Sequence, residues 1–354
     1  DIHKKNGIDT AVVLEKKQLE EVIIKKLVAA DVPFYPVADR SRLAFNPFIS
    51  WLFDIKKVFK VYRSYRPDLI VISNGTPGIM LGTLLFPVPV LFVMHTYPER
   101  YPWPLRTLWN LFCLPGKKQF LTVSAFSASE INRNMGISRD RISVVYNGYE
   151  RQLNRSNSST PLVLTLGHVV NYKNPGGWLQ VANKVVRERP GTRFVWLGDG
   201  TLLQRMRDEV EQLKLADAVL FEGYRQDVDD YFTRASIYFQ PSLIENHAIS
   251  LLDAMASGLP CVASSAGGTP ESIVDGETGF LCTPDDVDSF AARLITLIDD
   301  EELSRRMGES GRVRAEEFFS PDVQEQGILG QYAALAKSSL SGEGRGRGDF
   351  NKRV

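Results

Sequence analysis

Two carboxylates, Glu245 and Asp253, stand eight positions apart around the start of a short apolar stretch. The periodicity of Ile249–Ser257 predicts a helix, with Gly258 as its C-terminal cap. Glu245 then lies in the loop before this helix, and Asp253 lies one turn inside it. A helix start presents free backbone N–H groups and about +0.5 charge from the helix dipole. The pattern predicts a site that binds a diphosphate through amides and accepts hydroxyl hydrogens on the carboxylates. The amides concerned are those near Ala248, Ile249 and Ser250.

The residues after this helix also favour close approach of backbone to backbone. A strand is predicted at Cys261–Ala263, followed by Gly267 and Gly268, which have no Cβ, and by Pro270, which is typical of a helix start. From Gln240 to Cys282 the motifs are P-S-x-x-E, A-M-A-x-G-x-P, G-G-x-P-E and D-G-x-T-G-F-L. In this order they resemble the donor-binding half of the retaining glycosyltransferases of family 4, which have the GT-B fold.

The resemblance has two departures inside the motif. The family usually has Glu where Asp253 stands and Gly where Ala248 stands. The shorter acid loses about 1.5 Å of reach. The resemblance then implies ribose contacts that are altered without being abolished.

The resemblance also implies roles for individual residues. Lys173 would contact the diphosphate, Glu245 would face the donor sugar hydroxyls and its C1 region, and Asp253 would accept from the ribose hydroxyls. From the residues alone, each has a simpler alternative: a solvated lysine, a loop-capping carboxylate and an exposed helical acid. His168 follows Gly167 where most relatives have Arg, and it is either a phosphate ligand or a loop histidine without a partner.

Three further residues complete the predicted site. His95 follows a predicted strand and resembles the histidine that reaches the donor sugar from the first domain; a structural histidine is the alternative. Gly223 and Tyr224 fit the loop that receives the base, through backbone contacts or ring packing.

Strands and helices alternate along the chain, which favours parallel sheets with helices on both faces. The predicted strands are Thr10–Leu14, Val32–Val37, Asp68–Ser73, Val90–Met94, Phe120–Ser124, Leu162–Leu166, Phe194–Leu197, Val219–Glu222, Ile237–Gln240 and Cys261–Ala263. The predicted fold is α/β, GT-B, with two Rossmann-like domains facing across a cleft. By comparison with a usual βα unit, about thirty residues with the N-terminal strand of the first domain are expected to be missing.

The length of 354 residues suits two domains. The predicted boundaries are an acceptor-side domain at 1–153, a linker at 154–160, a donor domain at 161–317, a helix at 318–337 that crosses back to the first domain, and a disordered tail at 338–354.

Composition excludes some classes of partner and site. Lys plus Arg equals Asp plus Glu at 42 each, so no overall charge favours nucleic acid. Three cysteines without CxxC spacing indicate buried thiols in a reducing compartment and neither a disulfide frame nor a zinc site. No signal peptide is visible, but the chain begins at Asp1 without Met, so its true start is expected to be missing. The expected location is cytoplasmic. Because Pro87 and Pro89 interrupt the apolar run 75–94, we interpret it as a buried helix at 79–86 and a strand, with a transmembrane span as the alternative.

The acceptor side has weaker signals. Residues 48–65 and 98–118 combine aromatic and basic side chains at amphipathic spacing. Such faces bind anionic lipid, or they form the inner face of a Rossmann helix. The first interpretation predicts peripheral contact with the inner face of a membrane and suits a lipid-linked acceptor.

The function implied by the resemblance is retaining transfer of a sugar from a nucleoside diphosphate sugar, UDP- or GDP-linked, to a glycan or glycolipid, in polysaccharide biosynthesis for the cell envelope. No cofactor is expected. No metal is expected either, because the cleft strands lack a DxD motif and the chain lacks HExxH. One alternative is a non-catalytic nucleotide-sugar binding protein. An epimerase needs more acids and histidines in the cleft, and a phosphorylase needs a pyridoxal lysine motif that is not found.

Overall fold

The computed structural model describes residues 5–15, 25, 27–37, 59–73, 88–97, 100, 118–154 and 160–340. Several predictions lie outside these residues: the buried helix at 79–86, most of segments 48–65 and 98–118, most of the linker, and the tail from 341 onward. Within the described part of the chain, no helix is both long and apolar enough to cross a bilayer.

Contacts between Cα atoms divide the chain into two compact units. The first comprises Asp1–Leu121, Ile131–Ser143 and Ile328–Val354, and the second comprises Thr122–Glu130 and Val144–Gly327. These units are discontinuous in sequence, and residues from Ile328 onward group with the first unit. The predicted domain boundaries remain predictions.

The first unit contains short parallel strands. Strands β1 (Val12–Glu15) and β2 (Phe34–Val37) pair with each other. Four further strands lie in chain order in one sheet: β3 (Ile70–Ser73), β4 (Val90–Met94), β5 (Lys118–Thr122) and β6 (Ile142–Val144). The apolar run of β4 is buried, and Phe92 stacks on Phe120 at 5.0 Å between ring centroids. A strand that is apolar along its whole length is typical of a sheet covered on both faces.

Strand β5 differs from its predicted position. It ends at Thr122, whereas the sequence predicted Phe120–Ser124. The reason is that Ser124 belongs to the start of helix α1 (Ala125–Met135), where its Oγ accepts from the N–H of Ser127 at 3.1 Å. A serine that bonds an N–H three residues later ends the extended chain and caps a helix.

The second unit is built on a six-stranded sheet. In chain order its strands are β7 (Leu162–Leu166), β8 (Arg193–Leu197), β9 (Val219–Gly223), β10 (Ile237–Gln240), β11 (Cys261–Ser264) and β12 (Phe280–Cys282). In space the order is β12-β11-β10-β7-β8-β9, and every registered pair is parallel. The chain therefore places β8 and β9 on one side of β7 and then places β10, β11 and β12 on the other side.

Helices of the second unit connect and cover these strands. They are α2 (Pro175–Glu188), α3 (Leu203–Gln212), α4 (Val228–Arg234), α5 (Ile249–Ala256), α6 (Thr269–Ser272), α7 (Val287–Asp299), α8 (Glu301–Phe318) and α9 (Pro321–Leu340), the last shared with the first unit. Helices α5 and α9 confirm the predicted helices at Ile249–Ser257 and 318–337 to within a few residues. Helices α1, α2 and α4 and strand β12 were not predicted.

The core of the second unit is organised around Trp178 of α2. Its ring meets those of Phe194, Trp196 and Phe221 edge-on, at 5.6, 5.4 and 5.1 Å between centroids. The indole N–H donates to Oγ of Thr165 at 2.7 Å, and that hydroxyl donates to the carbonyl of Phe239 at 2.6 Å. This chain of bonds ties α2, β7 and β10 together, so the strands that flank the site are held by a buried polar link.

Two of the three cysteines are described. Cys261 and Cys282 are buried thiols, which confirms the prediction for these two positions. Burial raises the pKa of Cys282 to about 11.

Candidate functional site

Strands β7 and β10 are neighbours, although β8 and β9 lie between them in the sequence. They pair in parallel, with Val163 opposite Ile237 and Leu164 opposite Tyr238. The chain leaves β7 toward β8 and leaves β10 toward β11, on opposite sides. At such a reversal of strand order, the loops after the two strands diverge and leave a crevice in which α/β proteins bind ligands. These loops are residues 167–174 and 241–248.

The two loops bring Lys173 and Glu245 together. Nζ of Lys173 donates to Oε1 of Glu245, and the two side chains are only 13% and 10% exposed. Oγ of Ser242 donates to the same carboxylate oxygen at 2.9 Å. The N–H of Leu243 donates to the carbonyl of Tyr172 at 2.8 Å, which joins the loops through their backbones. The predicted lysine and the predicted acid thus form an ion pair at the switch point of the sheet.

Local turns fix the position of Lys173. Residues Asn171–Lys173 form one 3₁₀ turn, and Asn174 follows with φ 58°. Its side chain then accepts from the N–H of Gly177 at 3.1 Å and caps α2, with Pro175 in the first turn. Asparagine tolerates the left-handed region better than most residues, and proline fits the first helical turn. Lys173 is therefore held between a strand and a capped helix.

Glycines bring neighbouring loops close to Lys173. A Cβ at Gly167 would lie 3.7 Å from Nζ of Lys173, so the lysine side chain runs along this backbone. A Cβ at Gly198 would lie 2.1 Å from the carbonyl O of Gly167. His168 lies beside this contact, exposed, with Nδ1 3.4 Å from the carbonyl O of Asp199. Its proposed contact with phosphate stays a prediction.

The pair Gly267 and Gly268 shapes the loop that carries Glu245. A Cβ at Gly267 would lie 2.0 Å from the carbonyl O of Glu245, and one at Gly268 would lie 1.8 Å from that of Asn246. The N–H of Gly268 donates to the carbonyl of Glu245 at 2.8 Å. The predicted close backbone approach is confirmed, and the partner is the loop before α5.

Helix α5 begins beside the ion pair. Ala248 occupies its N-cap in an extended conformation and makes no side-chain hydrogen bond to the first turn. Ile249 and Ser250 follow, and Oγ of Ser250 accepts from the hydroxyl of Tyr238 at 2.8 Å. A helix start without a capping side chain keeps amide N–H groups available for an anion. Binding of a diphosphate there stays a prediction.

Asp253 requires a correction. It is not an exposed helical acid, because its side chain is only 1% exposed. Oδ1 accepts from the N–H groups of Glu150 at 2.7 Å and Arg151 at 3.0 Å, and Oδ2 accepts from Nη1 of Arg151 at 3.0 Å. Burial raises the pKa of Asp253, and these hydrogen bonds oppose the rise. The carboxylate expected to meet ribose has partners within the protein.

Two functional candidates escaped the sequence reasoning. His247, between Glu245 and α5, is buried and its ring stacks on Tyr146 at 5.0 Å. Its Nδ1 accepts from the N–H of Asn147 at 3.3 Å, and burial lowers its pKa to about 4. His247 is a single histidine inside the motif, and the sequence pattern around it did not indicate a functional role. The other candidate is Glu271.

The carboxylate of Glu271, the acid of the G-G-x-P-E motif, lies at the N-terminus of α1. Its two carboxylate oxygens accept from the N–H groups of Ala125 at 2.7 Å and Phe126 at 2.8 Å. A carboxylate at a helix N-terminus satisfies amides that the helix itself leaves unpaired and opposes the helix dipole. The motif therefore contributes a helix cap as well as two glycines.

The remaining predicted residues lie at strand ends. Gly223 closes β9 with φ 80°, and its carbonyl accepts from the N–H of Gly198 at 2.8 Å. Tyr224 is next and is 75% exposed, and its contact with the base stays a prediction. His95 follows β4 as expected and is exposed. It belongs to the first unit, and its contact with a donor sugar stays a prediction.

Comparison with known proteins agrees with this architecture. Residues 149–314 match the family model of the glycosyl transferases group 1, and residues 5–153 match that of glycosyltransferase family 4. The fold is GT-B, and the chain belongs to the group 1 glycosyltransferases.

The named relatives share 30% or less of their aligned residues with this chain. The chain is 27% identical to the sulfoquinovosyl transferase SQD2 of Arabidopsis thaliana, over 74% of this chain and 56% of that protein. It is 30% identical to N-acetyl-alpha-D-glucosaminyl L-malate synthase of Bacillus anthracis, over 66% of this chain and 63% of that one. The chain thus spans less than two thirds of these relatives. The structure of Anabaena HepE in complex with UDP and glucose superimposes with a TM-score of 0.75, at 18% identity and 94% coverage of both chains.

Proposed function

We propose that this protein is a retaining glycosyltransferase that moves a sugar from a nucleoside diphosphate sugar, UDP-linked in the first instance, to a glycan or glycolipid acceptor. The observation that carries the proposal is the pair of Lys173 and Glu245 at the switch point of the sheet, beside the uncapped start of α5. The relative named as a sulfoquinovosyl transferase and the HepE complex with UDP and glucose support it.

In the proposed reaction, the bond from C1 of the sugar to the diphosphate oxygen breaks, and a bond from C1 to the acceptor oxygen forms on the same face. The acceptor proton passes to the departing phosphate oxygen. Lys173, the α5 amides of Ile249 and Ser250, and His168 stabilise the negative charge that grows on the diphosphate. Glu245 accepts from hydroxyls of the donor sugar. The protein's own cations and amides do this work, so the reaction is proposed to need no metal.

Replacement of Lys173 tests this assignment directly. A charge-assisted hydrogen bond is worth about 1.5–3 kcal/mol, so Lys173→Ala is expected to weaken UDP binding by about 10- to 150-fold. It also leaves Glu245 as a largely buried acid without its cation. Calorimetric titration of UDP and GDP measures the first effect, and release of nucleotide from a donor sugar measures catalysis.

Lys184→Ala is a matched control, because Lys184 is exposed on α2 and pairs only at the surface with Asp288. The Lys184→Ala variant should bind nucleotide and release it from the donor sugar as the unmodified protein does. Lys173→Ala with unchanged nucleotide binding and unchanged transfer would remove the proposal.

A non-catalytic nucleotide-sugar binding protein is the second candidate. The observation that favours it is Asp253, whose carboxylate is bonded within the protein. A binder would bind UDP-sugar tightly and release no nucleotide from it, with or without an acceptor. Nucleotide release above the level of the Lys173→Ala variant would exclude it.

The acceptor is proposed to be at an anionic membrane surface, on its cytoplasmic side. Residues 59–65 are helical and present Lys60 and Arg63, with the guanidinium of Arg63 5.4 Å from the ring centroid of Phe59. Buried thiols at Cys261 and Cys282 suit a reducing compartment. Flotation with liposomes that contain anionic lipid tests the contact, and failure to float with them rejects it.

A further inference from the structure

Asp253 links α5 to residues 150–153, which we call the strap. Besides its bonds to Glu150 and Arg151, a third contact joins the two segments: the N–H of Leu153 donates to Oγ of Ser257 at 3.1 Å. The strap thus runs along α5 and is bonded to it at Asp253 and just past its last turn.

Arg151 extends this link to a second helix. Its Nη1 donates to Oδ2 of Asp253 at 3.0 Å, and its Nε donates to Oδ1 of Asp229 on α4, also at 3.0 Å. One guanidinium therefore bridges α4 and α5. Its planar set of donors can bond two carboxylates at once in fixed directions, which a lysine cannot do.

Few acceptor positions remain on Asp253 for a ligand. An ionised carboxylate offers about four lone-pair positions. Three are used by Glu150 and Arg151, and the side chain is 1% exposed. A hydroxyl of a bound nucleotide needs an oxygen that solvent can reach, and this carboxylate does not present one.

We propose that Asp253 is a positioning residue that fastens the strap to α5, and that the ribose hydroxyls of the bound nucleotide are not recognised by it. The inference rests on the proposed function insofar as a nucleotide binds at the start of α5. Through α5, Asp253 affects how the helix presents its first amides to the diphosphate. Loss of Asp253 should then weaken the binding of nucleotides with ribose hydroxyls and of nucleotides without them by the same factor.

The test compares UDP with 2′-deoxy-UDP and 3′-deoxy-UDP by calorimetry, using GDP and its deoxy forms if UDP does not bind. The variants are Asp253→Asn and Arg151→Met, which remove the ion pair from either end. We expect each variant to weaken all three nucleotides by the same factor, so that the ribo-to-deoxy affinity ratio changes by less than about two-fold. If Asp253→Asn weakens UDP by about ten-fold or more and leaves a deoxy form unaffected, the carboxylate binds ribose and the inference is wrong.

A measurement without nucleotide separates this inference from the proposed function. Hydrogen exchange at the amides of residues 150–153 should be faster in both variants and unchanged in Asp288→Asn, which removes an exposed acid far from the strap in sequence. Unchanged exchange in Asp253→Asn and Arg151→Met overturns the fastening role. Faster exchange in a protein that binds no nucleoside diphosphate supports the fastening role and overturns the proposed function. If Asp253→Asn does not fold, Arg151→Met gives the same two readouts.

Discussion

Acidification should destabilise the second unit through His247. Its ring is 4% exposed, stacked on Tyr146 and set edge-on to Phe319. Because Nδ1 accepts from the N–H of Asn147, the neutral ring carries its proton on Nε2, which has no hydrogen-bond partner among the described residues. A second proton would have to enter at Nδ1, where the Asn147 N–H already points. Burial and this bond both favour the neutral ring.

The size of the effect follows from the pKa of His247, lowered by burial from 6.5 to about 4. Since the folded pKa lies below the unfolded one, this group's contribution is complete above pH 6.5 and is lost as the pH falls toward 4. The full lowering of the pKa from 6.5 to about 4 corresponds to roughly 3 kcal/mol. Between pH 7 and pH 5 the same two values give a loss of about 2 kcal/mol.

The assay is urea unfolding at pH 7 and pH 5, for the unmodified protein and for His247→Phe. Phenylalanine keeps a ring beside Tyr146 but cannot accept from Asn147, so the variant should be less stable at pH 7. Its further loss on acidification should be smaller by about 2 kcal/mol. Other groups that titrate in this range contribute equally to both proteins and cancel in the comparison.

His168→Asn, which removes an exposed histidine, is the control. Titration of the His247 ring by NMR checks the cause directly. Equal losses in the unmodified protein and in His247→Phe, or a His247 pKa near 6.5, would refute the reasoning.

Two further predictions concern the packing behind the site. Gly268→Ala places a Cβ 1.8 Å from the carbonyl of Asn246 and should lower the melting temperature and weaken nucleotide binding together, whereas Gly176→Ala, with no atom within 4 Å, should not lower stability. Thr165→Val leaves the buried indole N–H of Trp178 without its acceptor and should cost about 1–3 kcal/mol in the free energy of unfolding. Thermal unfolding measures both, and a Gly268→Ala protein as stable as Gly176→Ala would contradict the first.

The sequence predicted the features that depend on local pattern and sheet topology. Strands β4, β7 and β10 lie at the predicted residues because each is a short apolar run bounded by turn residues. Lys173 and Glu245 are 72 positions apart, yet they meet because parallel neighbouring strands put their following loops at one edge. Such placement needs only strand identity and order.

What the sequence did not predict depends on partners distant in the chain. Helical periodicity put Asp253 in a helix but could not show that the strap, about 100 positions earlier, would cover it. The cap that Glu271 gives to α1 joins residues 146 positions apart. Helix α2 was also not predicted, although its start could have been, because Asn174 followed by Pro175 is a local signal for a helix start.

The ion pair of Lys173 and Glu245 does not have to break when a diphosphate binds. A lysine ammonium has three donors, and Glu245 uses one of them. The remaining N–H groups can point at phosphate oxygens while the carboxylate keeps one acceptor oxygen bonded to Lys173 and Ser242 and offers the other to a sugar hydroxyl. In the proposed reaction the pair would align the two ends of the scissile bond, with the cation at the leaving group and the acid at the sugar. The two loops already hold the ammonium group beside the carboxylate before the donor arrives, so that little reorganisation is required when charge develops.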